Sequence, residues 1–209
     1  MEGTISLLSL YPEAKDISFA LWPRVHVSWI PAAQTVVSNM TSLIIYITHD
    51  TQDIRFHMDH IIFSCLTLLT LACVRQAEAM HQAAGTFHFR YIRGILNQIV
   101  PTLRVLWLDT IPIMLADHIA ILDIVPNIRS LTIRDPHTNP HTHDAAPDIG
   151  ASSQWLQHLA NPAVLSLLQP LTFIQRHAII EKDLKNLISS CSPGCVIHHF
   201  LDDATCFLK

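Results

Sequence analysis

Val100-Pro-Thr-Leu-Arg-Val-Leu-Trp-Leu108 and Val125-Pro-Asn-Ile-Arg-Ser-Leu-Thr-Ile133 carry one pattern: an apolar residue, then proline, then apolar residues three, six and eight places after the first. Tyr11-Pro-Glu-Ala-Lys-Asp-Ile-Ser-Phe19 carries it as well. With serine in place of proline, so do Val37-Ser-Asn-Met-Thr-Ser-Leu-Ile-Ile45 and Phe63-Ser-Cys-Leu-Thr-Leu-Leu-Thr-Leu71. The anchors of the five copies are Ala14, Met40, Leu66, Leu103 and Ile128, at intervals of 26, 26, 37 and 25 residues. Gln76–Thr86 is the place for the 11 extra residues of the long interval.

Counted from each anchor, positions +3 and +5 are apolar in every copy: Ile17/Phe19, Leu43/Ile45, Leu69/Leu71, Leu106/Leu108 and Leu131/Ile133. Positions −4 and −3 are apolar too: Leu10/Tyr11, Val36/Val37, Ile62/Phe63, Ile99/Val100 and Ile124/Val125. Apolar residues at −7, −4 and −3 share one face of a helix, and a proline at −2 stops it. The alternation at +3 and +5 then sends a short strand into the same core. Each unit is thus expected to be a helix followed by a strand. A unit that cannot bury its apolar face alone must stack on its neighbours, so the expected class is α/β with parallel strands.

The strings Leu66-Thr-Leu-Leu-Thr-Leu71, Leu103-Arg-Val-Leu-Trp-Leu108 and Ile128-Arg-Ser-Leu-Thr-Ile133 resemble the L-x-x-L-x-L core of leucine-rich repeats. The period and the helical outer side are similar to the repeats of F-box/leucine-rich-repeat proteins, fungal F-box-like proteins among them. The resemblance implies a curved solenoid of about five to six irregular repeats, with a parallel sheet on the concave side and helices on the convex side. It also implies a non-enzymatic protein-binding role, such as the substrate-recognition part of a ubiquitin-ligase adaptor, with a ligase substrate as partner. No Leu-Pro-x-Glu-like F-box string precedes the first repeat. The expectation is either that the adaptor helices lie elsewhere or that the protein only binds.

Residues 1–135 are read as the repeats, 136–151 as a loop insertion rich in Pro, His, Asp and Thr, and 152–209 as a last repeat and C-terminal cap of the same domain. In that last part Ser152–Ser153 should cap a helix running through Trp155-Leu-Gln-His-Leu159. Leu168, Leu171 and Phe173 meet the template again at an interval of 40 residues. Glu181–Ser190 reads as another helix, and Cys195–Phe200 as a terminal strand.

Composition narrows the function classes. The chain has 209 residues, 50% hydrophobic and 14% charged, with a net charge of −4 and a mean hydropathy of +0.32. That is one domain, or two at most, too apolar for disorder and without the basic excess of a nucleic-acid binder. The 14-residue apolar run Ile61–Val74 falls short of the ~20 residues of a spanning helix, so no membrane partner is expected. Five cysteines and no basic residue before Lys15 suit an unsecreted protein of the cytoplasm or nucleus with reduced thiols.

No nucleophile elbow, phosphate loop or dinucleotide fingerprint occurs among only five glycines, so neither an enzyme nor a cofactor is expected. Two His/Cys groups support an alternative reading as a metal-binding protein or metal-dependent enzyme: His137, His141 and His143 with Asp144, and Cys191 and Cys195 with His198, His199 and Cys206. The leading candidate is nevertheless a surface. Positions +2, +4 and +6 should face away from the core, and in the middle copies they are Ser42, Ile44 and Tyr46; Leu68, Thr70 and Ala72; and Val105, Trp107 and Asp109. The adjacent copy adds Ser130, Thr132 and Arg134. The predicted partner site is Ile44, Tyr46, Leu68, Val105, Trp107, Asp109 and Arg134, because apolar and aromatic residues at exposed positions mark binding surfaces.

Overall fold

A computed structural model of the chain describes residues 13–21, 36–47, 61–73, 89–111, 113–134, 153–161, 164, 166–175, 181–190 and 195–201. Among the described residues nine strands form: β1 (Asp16–Leu21), β2 (Val36–Ser38), β3 (Ser42–Ile47), β4 (Ile61–Phe63), β5 (Leu68–Cys73), β6 (Val105–Asp109), β7 (Ser130–Arg134), β8 (Pro170–Gln175) and β9 (Val196–Leu201). Four α-helices accompany them: α1 (Arg93–Ile99), α2 (Leu115–Ile124), α3 (Ser153–Leu159) and α4 (Glu181–Ser190). A 3-10 turn, Phe89–Tyr91, precedes α1. Among the described residues no helix is long and apolar enough to cross a membrane.

Seven strands build one sheet in the order β1-β3-β5-β6-β7-β8-β9, every pair parallel. The register runs Ile17, Leu43, Leu69, Leu106, Leu131, Leu171 and Ile197 straight across it, which joins the +3 positions of the template. The expected side-by-side placement of these strands is therefore what the chain adopts. Strand β8 continues the sheet from Leu168, and β9 follows it at the far edge. Helices α3 and α4 fall where the capping serine and the apolar spacing put them.

The alternation explains the core. From Met40 onward the anchors Met40, Leu66, Leu103, Ile128 and Leu168 are buried, and so are the two columns that follow them, Leu43 to Leu171 and Ile45 to Phe173. A column of like residues one strand apart stacks into one buried row because parallel strands repeat at about 4.8 Å. The backbone repeats as faithfully. The carbonyl of Lys15 accepts the amides of Thr41 and Ser42, that of Thr41 accepts those of Thr67 and Leu68, and that of Thr67 accepts those of Arg104 and Val105. The carbonyl of Arg104 does the same for Arg129 and Ser130, after which Arg129 holds Gln169 and Gln169 holds Val196.

One expectation needs correction. In the second and third copies the residues at −4 and −3 are not the end of a helix. They are β2 and β4, a separate two-stranded parallel sheet. Val36 pairs with Ile61 and Val37 with Ile62, and both members of the second pair are exposed rather than buried. Val-Val and Ile-Ile-Phe are compatible with the extended state. Branching alone does not decide it, because Ile99-Val100 and Ile124-Val125 at the same positions of the fourth and fifth copies are equally branched and close helices; what β2 and β4 have in addition is each other as ladder partners.

Behind the sheet, α2, α3 and β8 meet at an aromatic cluster. Trp155 stands edge-on to Phe173, centroids 5.2 Å apart, and His118 stands edge-on to Trp155 at 6.1 Å. His118 is buried, and among the described residues its Nδ1 has no hydrogen-bond partner. Burial, opposed in part by the nearby Asp117 carboxylate, pushes its pKa down to about 4, so the ring is neutral near pH 7. At the rim of the same contact His158 Nε2 lies 3.1 Å from Asp123 Oδ1 and ties α3 to α2.

Candidate interaction surface

The face of the seven-stranded sheet turned away from the core is ordered into rungs. One joins Ser18, Ile44, Thr70, Trp107, Thr132, Thr172 and His198; the next joins Ala20, Tyr46, Ala72, Asp109, Arg134, Ile174 and Phe200. Trp107 is 41% exposed and Tyr46 is 38% exposed, while Leu106, Leu108, Ile45 and Ile47 on the opposite face of the same strands are buried. Exposure of this size on a tryptophan means that its ring is neither in the core nor covered by the C-terminal helices.

The seven residues expected to form the partner site do lie on this one face. Trp107 and Tyr46 are the exposed members; Ile44, Leu68, Val105, Asp109 and Arg134 are half-buried. Thr70 and Ala72, also assigned to open positions, are instead buried. Both sit on β5, the strand between Ile44 and Tyr46 on one side and Trp107 and Asp109 on the other. A small residue flanked by large ones at strand spacing loses its solvent, so β5 contributes the floor of the patch and β3 and β6 its relief.

At one end of the patch Arg134 Nη1 donates to Asp109 Oδ1 at 3.4 Å, across the β6–β7 rung. A partly exposed pair contributes about 0.2–1 kcal/mol to stability, so its charges are available to orient a partner at little cost to the fold. Asp109 also faces the neighbouring strand end: the Cys73 thiol pKa is raised by burial and, to a smaller extent, by the Asp109 carboxylate. The thiol there stays protonated and is a poor nucleophile.

Immediately after Asp109 the chain turns through Thr110, whose φ of 57° is in the left-handed region. For a β-branched residue that conformation costs about 1–3 kcal/mol. It is held by the Thr110 amide, which donates to the Arg134 carbonyl at 3.0 Å and so clamps the ends of β6 and β7 beneath the ion pair. Nothing in the residue order marked Thr110, since threonine is rare in this conformation. The outward residues of β9, by contrast, could have been found by one more application of the template, at an interval of 26 residues from β8.

His137, His141, His143 and Asp144 lie outside the described residues, as do Cys191 and Cys206. Among the described residues no three His, Cys, Asp or Glu side chains gather as a metal site would require. Cys195 is half-buried and His198 is exposed.

Among the described residues the fold and the face define an α/β protein whose larger sheet is seven-stranded and all-parallel, with Trp107 and Tyr46 exposed on one face. No protein-family model matches the chain, and neither does any curated protein or solved structure.

Proposed function

We propose that this chain is a non-enzymatic protein-binding module, a leucine-rich-repeat-like solenoid of the cytoplasm or nucleus that recognises another protein through the open face of its sheet. The observation that carries this reading is the exposure of Trp107 and Tyr46 among the half-buried apolar residues Ile44, Leu68 and Val105 on one face of the sheet. Tryptophan and tyrosine contribute most of the energy in protein interfaces when surrounded by residues that exclude water, as Ile44, Leu68 and Val105 do here. Uniform strand register and the carbonyl ladder from Lys15 to Val196 support the solenoid, because each unit makes the same bonds to the next.

The partner fits a small apolar surface of its own, with a polar rim that meets Asp109 and Arg134. By resemblance to F-box/leucine-rich-repeat adaptors, that partner is a protein delivered to a ubiquitin ligase. Quantitative affinity capture with the wild-type chain, with Trp107→Ala and with Gln157→Ala tests this. A specific partner is lost with Trp107→Ala and retained with Gln157→Ala, a change at an exposed position on α3. Equal capture by all three chains rules out the face. Copurifying ligase core subunits support the adaptor role, and a partner set without them leaves a binding module alone.

A further inference from the structure

We propose that β9 is a self-association edge: two copies of the chain pair their β9 strands antiparallel about a two-fold axis at His198, with Val196 of one copy opposite Phe200 of the other.

The outer edge of β9 has no strand beside it among the described residues. Its polarity follows from one bond. The Val196 amide donates to the Gln169 carbonyl at 2.6 Å, so Val196, His198 and Phe200 turn their backbone groups towards β8. Ile197, His199 and Leu201 therefore turn theirs outward, because these groups alternate along a strand. Natural sheets guard such an edge with charge, proline or a bulge. The opposite edge carries charge, with exposed Asp16 opening β1 and exposed Glu13 and Lys15 just before it. Strand β9 reads Val196-Ile-His-His-Phe-Leu201, with no charged residue and no proline.

Its surface is apolar as well. Val196 is 52% and Phe200 55% exposed, on the same face as His198, whose ring stacks on that of Phe200. Ile197 is only half-buried, although its row neighbours Leu131 and Leu171 are fully buried, so the core row ends uncovered at this edge.

What selects a second copy is the symmetry of the strand. In an antiparallel pair, opposite residues share a face. Centring the pair on His198 places each exposed apolar residue against the other, Val196 on Phe200, and aligns Ile197 with His199 to form about four backbone hydrogen bonds. The arrangement closes on itself as a two-fold dimer. Joining β9 of one copy to β1 of the next in continued parallel register would instead set Asp16 against Val196 and leave an open-ended chain of copies.

Sedimentation velocity over a range of micromolar concentrations tests the proposal. The wild-type chain should show a monomer–dimer equilibrium. Val196→Lys and Phe200→Lys should each raise the dimer dissociation constant at least about tenfold, with a melting temperature unchanged at concentrations where the wild-type chain is monomeric, since both positions are exposed. Trp107→Ala should leave the dimer intact, which separates this edge from the partner face. A second measurement reads the register. His198 would be a non-hydrogen-bonded pair with its counterpart, with Cα atoms about 4.5 Å apart, and this is within disulfide range. His198→Cys under mild oxidation should therefore give a disulfide between the two substituted positions, identified by peptide mass spectrometry. A chain that is monomeric at every concentration overturns the proposal. So does a dimer that both lysine variants leave intact, or one in which the His198→Cys positions do not cross-link.

Discussion

Leu106 and Leu131 are direct partners across β6 and β7, and neither exposes any of its surface to solvent. Twenty-five residues separate them in the chain, the length of one unit. Truncating either to alanine removes buried methyl groups from the centre of a column that cannot close up. Each variant should lose about 2–5 kcal/mol of unfolding free energy in denaturant titrations. Because the two side chains are neighbours, the double variant should depart from the sum of the singles by about 0.5 kcal/mol or more. A loss below about 0.5 kcal/mol at both sites would contradict the register.

Trp107 should behave in the opposite way. Its ring is on the open face, so Trp107→Ala is expected to change stability by less than about 1 kcal/mol while weakening partner binding by about 2 kcal/mol or more. Thermal unfolding and titration calorimetry against the captured partner measure the two quantities separately.

Thr110 gives a test of backbone strain. Glycine adopts its left-handed conformation without the Cβ clash, so Thr110→Gly recovers strain that offsets the loss of the buried side chain. Thr132→Gly, on the neighbouring strand with ordinary extended backbone, recovers nothing. Chemical denaturation should therefore find Thr110→Gly the less damaging of the two by about 1 kcal/mol.

His118 predicts how stability depends on pH. Its folded-state pKa is lowered to about 4, against about 6.5 for the unfolded chain. Between these values the unfolded state binds a proton that the folded state refuses. The contribution of the neutral ring is therefore complete above about pH 6.5 and falls by about 1.4 kcal/mol per pH unit as pH drops towards 4. His118→Leu, which fills the site without titrating, should flatten that slope in denaturation experiments between pH 4 and 6.5. An unchanged slope would place the acid sensitivity elsewhere.

The seven-stranded sheet was legible in residue order because each inner strand of a parallel sheet in one register meets the same demand as the next. Leu43, Leu69, Leu106, Leu131 and Leu171 meet the same neighbours one strand away, so periodicity alone locates them, and strand alternation alone puts Trp107 and Tyr46 on the other face. Helix or strand before each of these strands was less legible. Val36-Val37 and Ile61-Ile62-Phe63 satisfy an apolar count as well as Ile99-Val100 does and, Phe63 apart, are branched at Cβ as it is, so neither property separates them; the pairing of β2 with β4 does.

Contacts between copies lie beyond the reach of periodicity. Thr70 and Ala72 occupy outward positions and are buried nonetheless, because Ile44, Tyr46, Trp107 and Asp109 are larger and stand on either side of them. The Asp109–Arg134 pair follows from register, whereas the left-handed turn at Thr110 that anchors it follows from how β6 and β7 end together. His118, Trp155 and Phe173 come from three elements with no common spacing. Only the packing of α2 and α3 against β8 brings them into edge-on contact, and only that enclosure makes an ordinary histidine hold its neutral form down to about pH 4.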